Sequence, residues 1–200
     1  MSIESTQQTL AYYGQHADAF SADTLHADMA AQLKRFLAYV PAGGAVLDWG
    51  CGSGRDAKEL LDAGYEVTAA DACAQLCERA GKLTGLPVRQ QEFLELGDAG
   101  AFDGIWACAS LLHLTPVELP RALELAGDAL KDGGVLYASF KYGTHAGMRN
   151  GRWFTDLDET TFTALLPCGL ASLELWTSAD VRAGRHDERW LNAIVQKTGC

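Results

Sequence analysis

Apolar and polar positions along the 200-residue chain follow two alternating periods. From residue 3 to 38 they recur at helical spacing, with Leu33, Phe36, Leu37 and Val40 on one stripe, which predicts a helical N-terminal segment. Pro41-Ala42-Gly43-Gly44 breaks the chain. A short apolar run at 45–48 reads as a buried strand and feeds a glycine-rich turn. Residues 55–63 return to helical spacing and stop at Gly64. A second strand is expected at 66–70, ending at Asp71, and a helix at 73–80, stopped by Gly81. A third strand follows at 87–93 and a fourth at 102–108, uncharged after Asp103 as a strand buried on both faces should be.

Thr115-Pro116-Val117-Glu118 has the form of a capping box with proline at the first helical position, predicting a helix to Lys131. Asp132-Gly133-Gly134 turns it into a strand at 135–140. After an irregular stretch, Thr155 to Asp158 can open a further helix ending near Pro167. Two strands remain, at about 172–177 and 189–197. Alternation of strand and helix up to residue 140 implies a parallel sheet with right-handed crossovers. The last two strands have no helix between them and should pair antiparallel at the sheet edge. The expected fold is α/β: a Rossmann-like doubly wound sheet, mostly parallel with a C-terminal antiparallel strand. A helical cap is expected over 1–40 and one compact domain over 41–200.

Composition narrows the functional classes. A formal charge of −10 argues against general binding to DNA or anionic membranes, which need a positive field. The first residues lack the basic and apolar regions of a signal peptide, and no run approaches the ~18 apolar residues of a membrane span. A soluble cytoplasmic protein, monomeric or homodimeric, is expected. Cysteines at 51, 73, 77, 108, 168 and 200 form no C-x-x-C pair, so six reduced thiols and no metal are expected.

The chemistry concentrates in Val46-Leu47-Asp48-Trp49-Gly50-Cys51-Gly52-Ser53-Gly54-Arg55, where the first strand passes into the first helix of the sheet. Glycines there allow a sharp turn and the close approach of a ligand. Asp71 closes the next strand, where a carboxylate can accept hydrogen bonds from both ribose hydroxyls of an adenosine. Gly52-x-Gly54-x-x-Ala57 also satisfies a dinucleotide fingerprint. Against that stand Asp48, whose charge suits a cationic amino group and sulfonium better than a pyrophosphate, and the lack of a second domain for a substrate. No triphosphate P-loop is present.

The stretch VLDWGCGSGRDAKELLDAGYEVTAAD resembles class I S-adenosylmethionine-dependent methyltransferases, and GCGSGRDA with GYEVTAAD is similar to their tellurite-resistance branch. FDGIWACASLLHL and LKDGGVLYASFKYG extend the likeness over about residues 40–140. The resemblance implies methyl transfer from S-adenosylmethionine, leaving S-adenosylhomocysteine, and a methyltransferase domain at 41–200. It implies that Gly50, Cys51, Gly52 and Arg55 surround the methionine part and that Asp48 helps hold its amino group. Asp71 then takes the ribose, Ala72 and Cys73 flank the adenine, and Glu92 and Phe93 lie at its edge. Residues from Ala107 through Ser110 to Leu111 pass near the methyl end. In the family the N-terminal segment covers the cofactor, which places Tyr12 and Tyr13 where a ring can meet the sulfonium.

Trp49 and Trp106 read as core, Cys51 and Cys73 as fillers, and Gly54 as serving either packing or cofactor. His113, after the fourth strand, is a candidate base or a capping residue. Residues 141–154, KYGTHAGMRNGRWF, hold three basic residues, a histidine and no acid. They read either as a mobile solvated loop or as a substrate lid, with His145, Arg149, Arg152 and Trp153 as candidates for an anionic group. Arg182, Arg185 and His186 can add to that patch. The partner expected is a small molecule. A tRNA or protein methyltransferase and a non-catalytic cofactor-binding subunit stay open as alternatives.

Overall fold

The structure, a computed structural model, describes residues 2–182, 184–185 and 187–199; His186 lies outside the described residues. Two helices open the chain, α1 (Ser2–Thr24) and α2 (Ala30–Leu37). The continuous helical segment expected over 3–38 is therefore divided. It kinks at His16 (φ −117°, ψ 16°) and breaks after Thr24, where Asp28 accepts from the Ala30 N–H at 2.9 Å as α2 begins. Then follow β1 (Ala45–Trp49), α3 (Arg55–Asp62), β2 (Glu66–Asp71), α4 (Ala74–Thr84), β3 (Arg89–Gln90) and β4 (Phe102–Ala107). After them come α5 (Leu119–Ala129), β5 (Leu130–Lys141), β6 (Ala146–Arg149), β7 (Arg152–Thr155), α6 (Glu159–Leu165), β8 (Leu170–Ala179) and β9 (Arg189–Lys197).

Seven strands form one sheet in the order β3-β2-β1-β4-β5-β9-β8, parallel throughout except for β9, which runs antiparallel to both neighbours. The expected doubly wound sheet is present, and the last two strands pair antiparallel at its edge, with β9 between β5 and the edge strand β8. Central strands alternate their side chains between two buried faces. Leu47, Trp49, Ile105, Ala107, Leu136 and Phe140 meet α5 and Phe162 of α6, while Val46, Trp106, Val135 and Tyr137 meet α2 and Leu60 of α3. The two tryptophans are core, as read from the sequence. Trp106 stacks on Tyr137 with centroids 3.9 Å apart and donates from Nε1 to Asp56 at 2.9 Å.

Several boundaries move for local reasons. The third strand shrinks to two residues because Glu92 and Glu95 cap each other's backbone and wind residues 93–95 into a 3-10 turn. Thr115 to Glu118 closes a turn in which Thr115 donates twice to the Glu118 carboxylate, at 2.9 and 2.7 Å, and the helix starts only at Leu119, with Pro120 in its first turn. Strand β5 starts at Leu130, and Asp132-Gly133-Gly134 sits within a bulge between the Phe102–Leu130 and Gly104–Val135 pairs. Helix α6 starts at Glu159, capped by Asp158 and Thr161, because Thr155 ends a strand.

The largest correction concerns 141–154. It contains an ordered hairpin, β6–β7, turned on Asn150 (φ 49°) and Gly151 (φ 78°), the pair of left-handed residues that a tight two-residue turn requires. Trp153 N–H donates to Thr9 Oγ1 at 3.0 Å, fastening the hairpin to α1. A second correction concerns the thiols. Cys51, Cys73, Cys77 and Cys108 are free, but Cys168 is disulfide-bonded. Its turn adjoins the end of β9, where the Thr198 N–H donates to the Gly169 carbonyl at 2.8 Å. No helix among the described residues is long and apolar enough to cross a membrane.

Candidate active site

Beyond the carboxyl ends of β1 and β4, where the strand order reverses, two cavities of about 1100 and 800 Å3, counting their open mouths, adjoin one another. Tyr13, Phe20, Gly50, Gly52, Ala109 and His113 line both. The smaller cavity runs to Asp71, Ala72, Cys73, Glu92 and Phe93, the larger to Asp48, Cys51, Arg55 and Arg152.

The turn after β1 is built on the sheet. The N–H groups of Gly50 and Cys51 both donate to the Ala70 carbonyl, at 2.8 and 2.9 Å. Gly50 has φ +83°, and a Cβ there would stand 2.5 Å from that of Ser110, which donates to the Trp49 carbonyl at 2.7 Å. This crossing brings the β4 loop onto the turn. Gly54 (φ +84°) answers the question of packing or cofactor: its Cβ would meet Ala80 Cα of α4 at 2.8 Å, and it lines neither cavity.

Two carboxylates remain incompletely used. Asp71 accepts from Gly52 N–H at 2.9 Å on one oxygen and from Cys73 N–H at 2.8 Å on the other. A carboxylate has about four acceptor positions, so about two are left toward the smaller cavity. Burial pushes its carboxyl above the usual range, against the pull of those two N–H groups. Asp48 is 2% exposed, and its Oδ2 has no hydrogen-bond partner. Burial, with Asp56 nearby, pushes Asp48 well above the carboxylate range despite Arg55 and the Ala57 N–H. A buried unpaired carboxylate facing a cavity is costly unless a ligand supplies the missing donor. Phe93, held edge-on to Trp49 at 5.3 Å, and Leu76 give the smaller cavity the apolar walls a planar base needs.

Arg55 does something else. It forks onto Asp56 at 2.7 and 2.8 Å and donates to the Thr24 carbonyl at 3.0 Å, tying the end of α1 to α3. Burial pushes the Cys51 and Cys108 thiols up, so neither supplies a thiolate. Ala107 is fully buried in β4 and outside both cavities; Ala109, two residues on, takes its place with φ +50° and its N–H on Ser139 Oγ at 2.8 Å.

Of the four candidates in 141–154, only Arg152 lines a cavity. His145 is exposed, Arg149 is paired with Asp156, and Trp153 turns its indole N–H to Thr155 at 3.0 Å. Arg152 stacks with Tyr12 at 4.6 Å and Phe154 at 5.1 Å, reaches Tyr13 Oη at 3.4 Å, and keeps its Nε buried without a partner. Lys141, Arg182 and Arg185 line the same cavity but are taken: Lys141 by Asp180 and Glu188, Arg182 by Asp180 at 2.6 Å, and Arg185 by Asp23 at 3.5 Å. Among the described residues Arg152 is thus the cavity's one cation without a carboxylate partner. Tyr12 stacks on His16 at 4.2 Å and lines neither cavity, whereas Tyr13 stands at their junction. Tyr13 and His113 hydrogen-bond at 2.8 Å, and His113 Nδ1 lies 2.6 Å from the Trp153 carbonyl oxygen. Phe20 and Phe154 also face the larger cavity; nothing in their sequence context separates them from core aromatics.

Residues 46–134 match the family model described as a methyltransferase domain. The crystal structure of Burkholderia thailandensis 1,6-didemethyltoxoflavin-N1-methyltransferase, with bound 1,6-didemethyltoxoflavin and S-adenosylhomocysteine, superposes with a TM-score of 0.80 at 20% identity, covering 100% of this chain and 91% of that one. The chain has the methyltransferase fold. The N-methyltransferase NodS of Bradyrhizobium japonicum WM9, in complex with S-adenosyl-L-homocysteine, shares it with a TM-score of 0.77 at 20% identity over 96% of this chain and 100% of that one. In sequence, ubiquinone biosynthesis O-methyltransferase of Xanthomonas axonopodis pv. citri (strain 306) is 34% identical over 107 residues, 50% of this chain and 44% of that relative. The chain thus spans less than half the length of that methyltransferase.

Proposed function

We propose that this protein is an S-adenosylmethionine-dependent methyltransferase acting on a small molecule. The observation that carries the reading is the pair of half-used carboxylates, Asp71 and Asp48, on either side of the glycine turn. Asp71 lines the smaller and Asp48 the larger of two adjoining cavities within a methyltransferase fold, which supports ribose and amino-group roles for them. Asp71 receives the ribose hydroxyls, Phe93 and Leu76 flank the adenine, and Asp48 Oδ2 takes the ammonium group. When bound, the cofactor supplies a methyl group on a sulfonium, which leaves with the S–C bond electrons staying on sulfur. The chain contributes alignment and the exclusion of water.

The larger cavity supports the acceptor's class. It is lined by α1, the β6–β7 hairpin and the β8–β9 loop around an open mouth, with room for a small molecule. Its unpaired Arg152 suits an acceptor with an anionic group. The resemblance to the tellurite-resistance branch puts a metalloid oxyanion among the anions to assay.

Titration calorimetry with S-adenosylhomocysteine tests the cofactor assignment. Asp71→Ala should weaken binding by roughly 10- to 100-fold, the loss of hydrogen bonds to a charged group, while the far-ultraviolet circular dichroism stays unchanged. Unaltered affinity would remove the ribose role. Methyl transfer to a panel of small carboxylates, phenols and oxyanions tests the acceptor.

A further inference from the structure

We propose that Tyr13 is the proton-accepting residue of this site, backed by His113 and governed by the charge on Arg152. The inference rests on the reading of the cavity as a methyl-transfer site and adds the fate of the acceptor's proton.

A backbone carbonyl only accepts hydrogen bonds, so Trp153 O at 2.6 Å fixes a proton on His113 Nδ1. Nε2 then carries the lone pair, and the Tyr13 hydroxyl 2.8 Å away donates to it. His113 therefore presents no free ring nitrogen to the cavity. Tyr13 Oη takes the Arg152 N–H on one lone pair at 3.4 Å, so its second lone pair, at the junction of the two cavities, is the acceptor position left in this unit. An acceptor O–H or N–H gives its proton to Tyr13 Oη while Tyr13's own proton crosses to Nε2. The acceptor keeps the electron pair that attacks the methyl carbon, and the imidazolium holds its Nδ1–H on Trp153. After transfer the proton returns through Tyr13 to solvent.

The surroundings of His113 set when this happens. Tyr13 faces it from α1; Arg152, the Trp153 carbonyl and the Phe154 ring from β7; and Arg149 from β6. Burial first, then the two arginines, hold the imidazole down at about 4, against the Trp153 carbonyl. The Arg149 charge is offset by Asp156, whereas that of Arg152 is not. An anionic group seated on Arg152 offsets that charge, so the imidazole gains its hold on a proton when an acceptor arrives.

Nitrogen-15 NMR of the His113 ring tests this without knowledge of the acceptor, with benzoate as the anion probe and the protein both free and loaded with S-adenosylhomocysteine. The Nδ1–H tautomer is expected, titrating near 4 and shifting upward once benzoate saturates the site. Arg152→Gln should start raised and ignore benzoate, while Arg152→Lys, which keeps the charge, should start low. An Nε2–H tautomer, failure of benzoate to bind, or bound benzoate with an unmoved midpoint would each overturn the proposal. Failure of the cofactor reading shows separately, as absence of S-adenosylhomocysteine binding with the imidazole titration intact.

Discussion

Asp48→Asn separates the stability cost of the site from its function. The fold places a carboxylate at 2% exposure with one oxygen satisfied by the Ala57 N–H and the other by nothing. An unsatisfied buried polar group costs about 1–3 kcal/mol, more when charged. Asparagine keeps the shape and the accepting oxygen and removes the buried charge, so the ligand-free protein should gain about 1–3 kcal/mol, which for a chain of this length raises Tm by about 2–12 °C. The same change removes a charge-assisted contact to the cofactor's ammonium, worth about 1.5–3 kcal/mol, or roughly 10- to 100-fold in Kd. Thermal unfolding with and without S-adenosylhomocysteine reads both effects, and they must have opposite signs. The pH dependence sharpens the test. Asp48's pKa is raised in the fold, so its cost is absent at low pH and develops as pH climbs from about 4 through the raised folded value. The asparagine variant should lack that decline. A variant with lower ligand-free Tm and unchanged cofactor affinity would refute the reasoning.

Gly54→Ala should destabilise by about 2 kcal/mol or more, from a left-handed alanine and a Cβ driven against Ala80. Urea unfolding should record the loss, while cofactor affinity per folded molecule holds. His113 is held neutral at about 4 in the fold against about 6.5 unfolded. Its contribution is full above 6.5 and lost as pH falls toward 4, about 3 kcal/mol in all. Denaturant midpoints across that window should flatten in His113→Gln, and an unchanged slope would reassign the acid sensitivity to another group.

Much of the sheet and of the adenosine side was legible because period and position both spoke there. Strands β1, β2 and β4 are short and carry apolar runs, and Asp48 and Asp71 stand at the carboxyl ends of the first two. The acceptor side was less legible. Its hairpin alternates residues such as Met148 and Trp153 with arginines and glycines, so apolar period says little; Asn150-Gly151 was the signal that distinguishes it from a loop. Arg149 and Arg152 stand side by side in that register and looked equivalent in sequence. A carboxylate seven residues on, Asp156, neutralises one and leaves the other. Such pairing depends on tertiary contact. So does the division of labour by which Arg55, next to the turn, ties helices together while Tyr13, ninety-five residues before Cys108, meets the β4 loop through His113.

The placement of β9 bears on how the chain is made. Pairs from Val135–Gln196 to Lys141–Trp190 join β5 to a strand synthesised some fifty residues later, and β8 has no partner until that strand arrives. A nascent chain that has completed β1 to β5 exposes β5 as an open edge whose residues from Val135 to Phe140 are all destined for burial. Such an edge is a template for pairing between chains. Emergence from the ribosome is therefore the moment of greatest aggregation risk for this protein, and the interval before β9 appears is where a chaperone has most to protect.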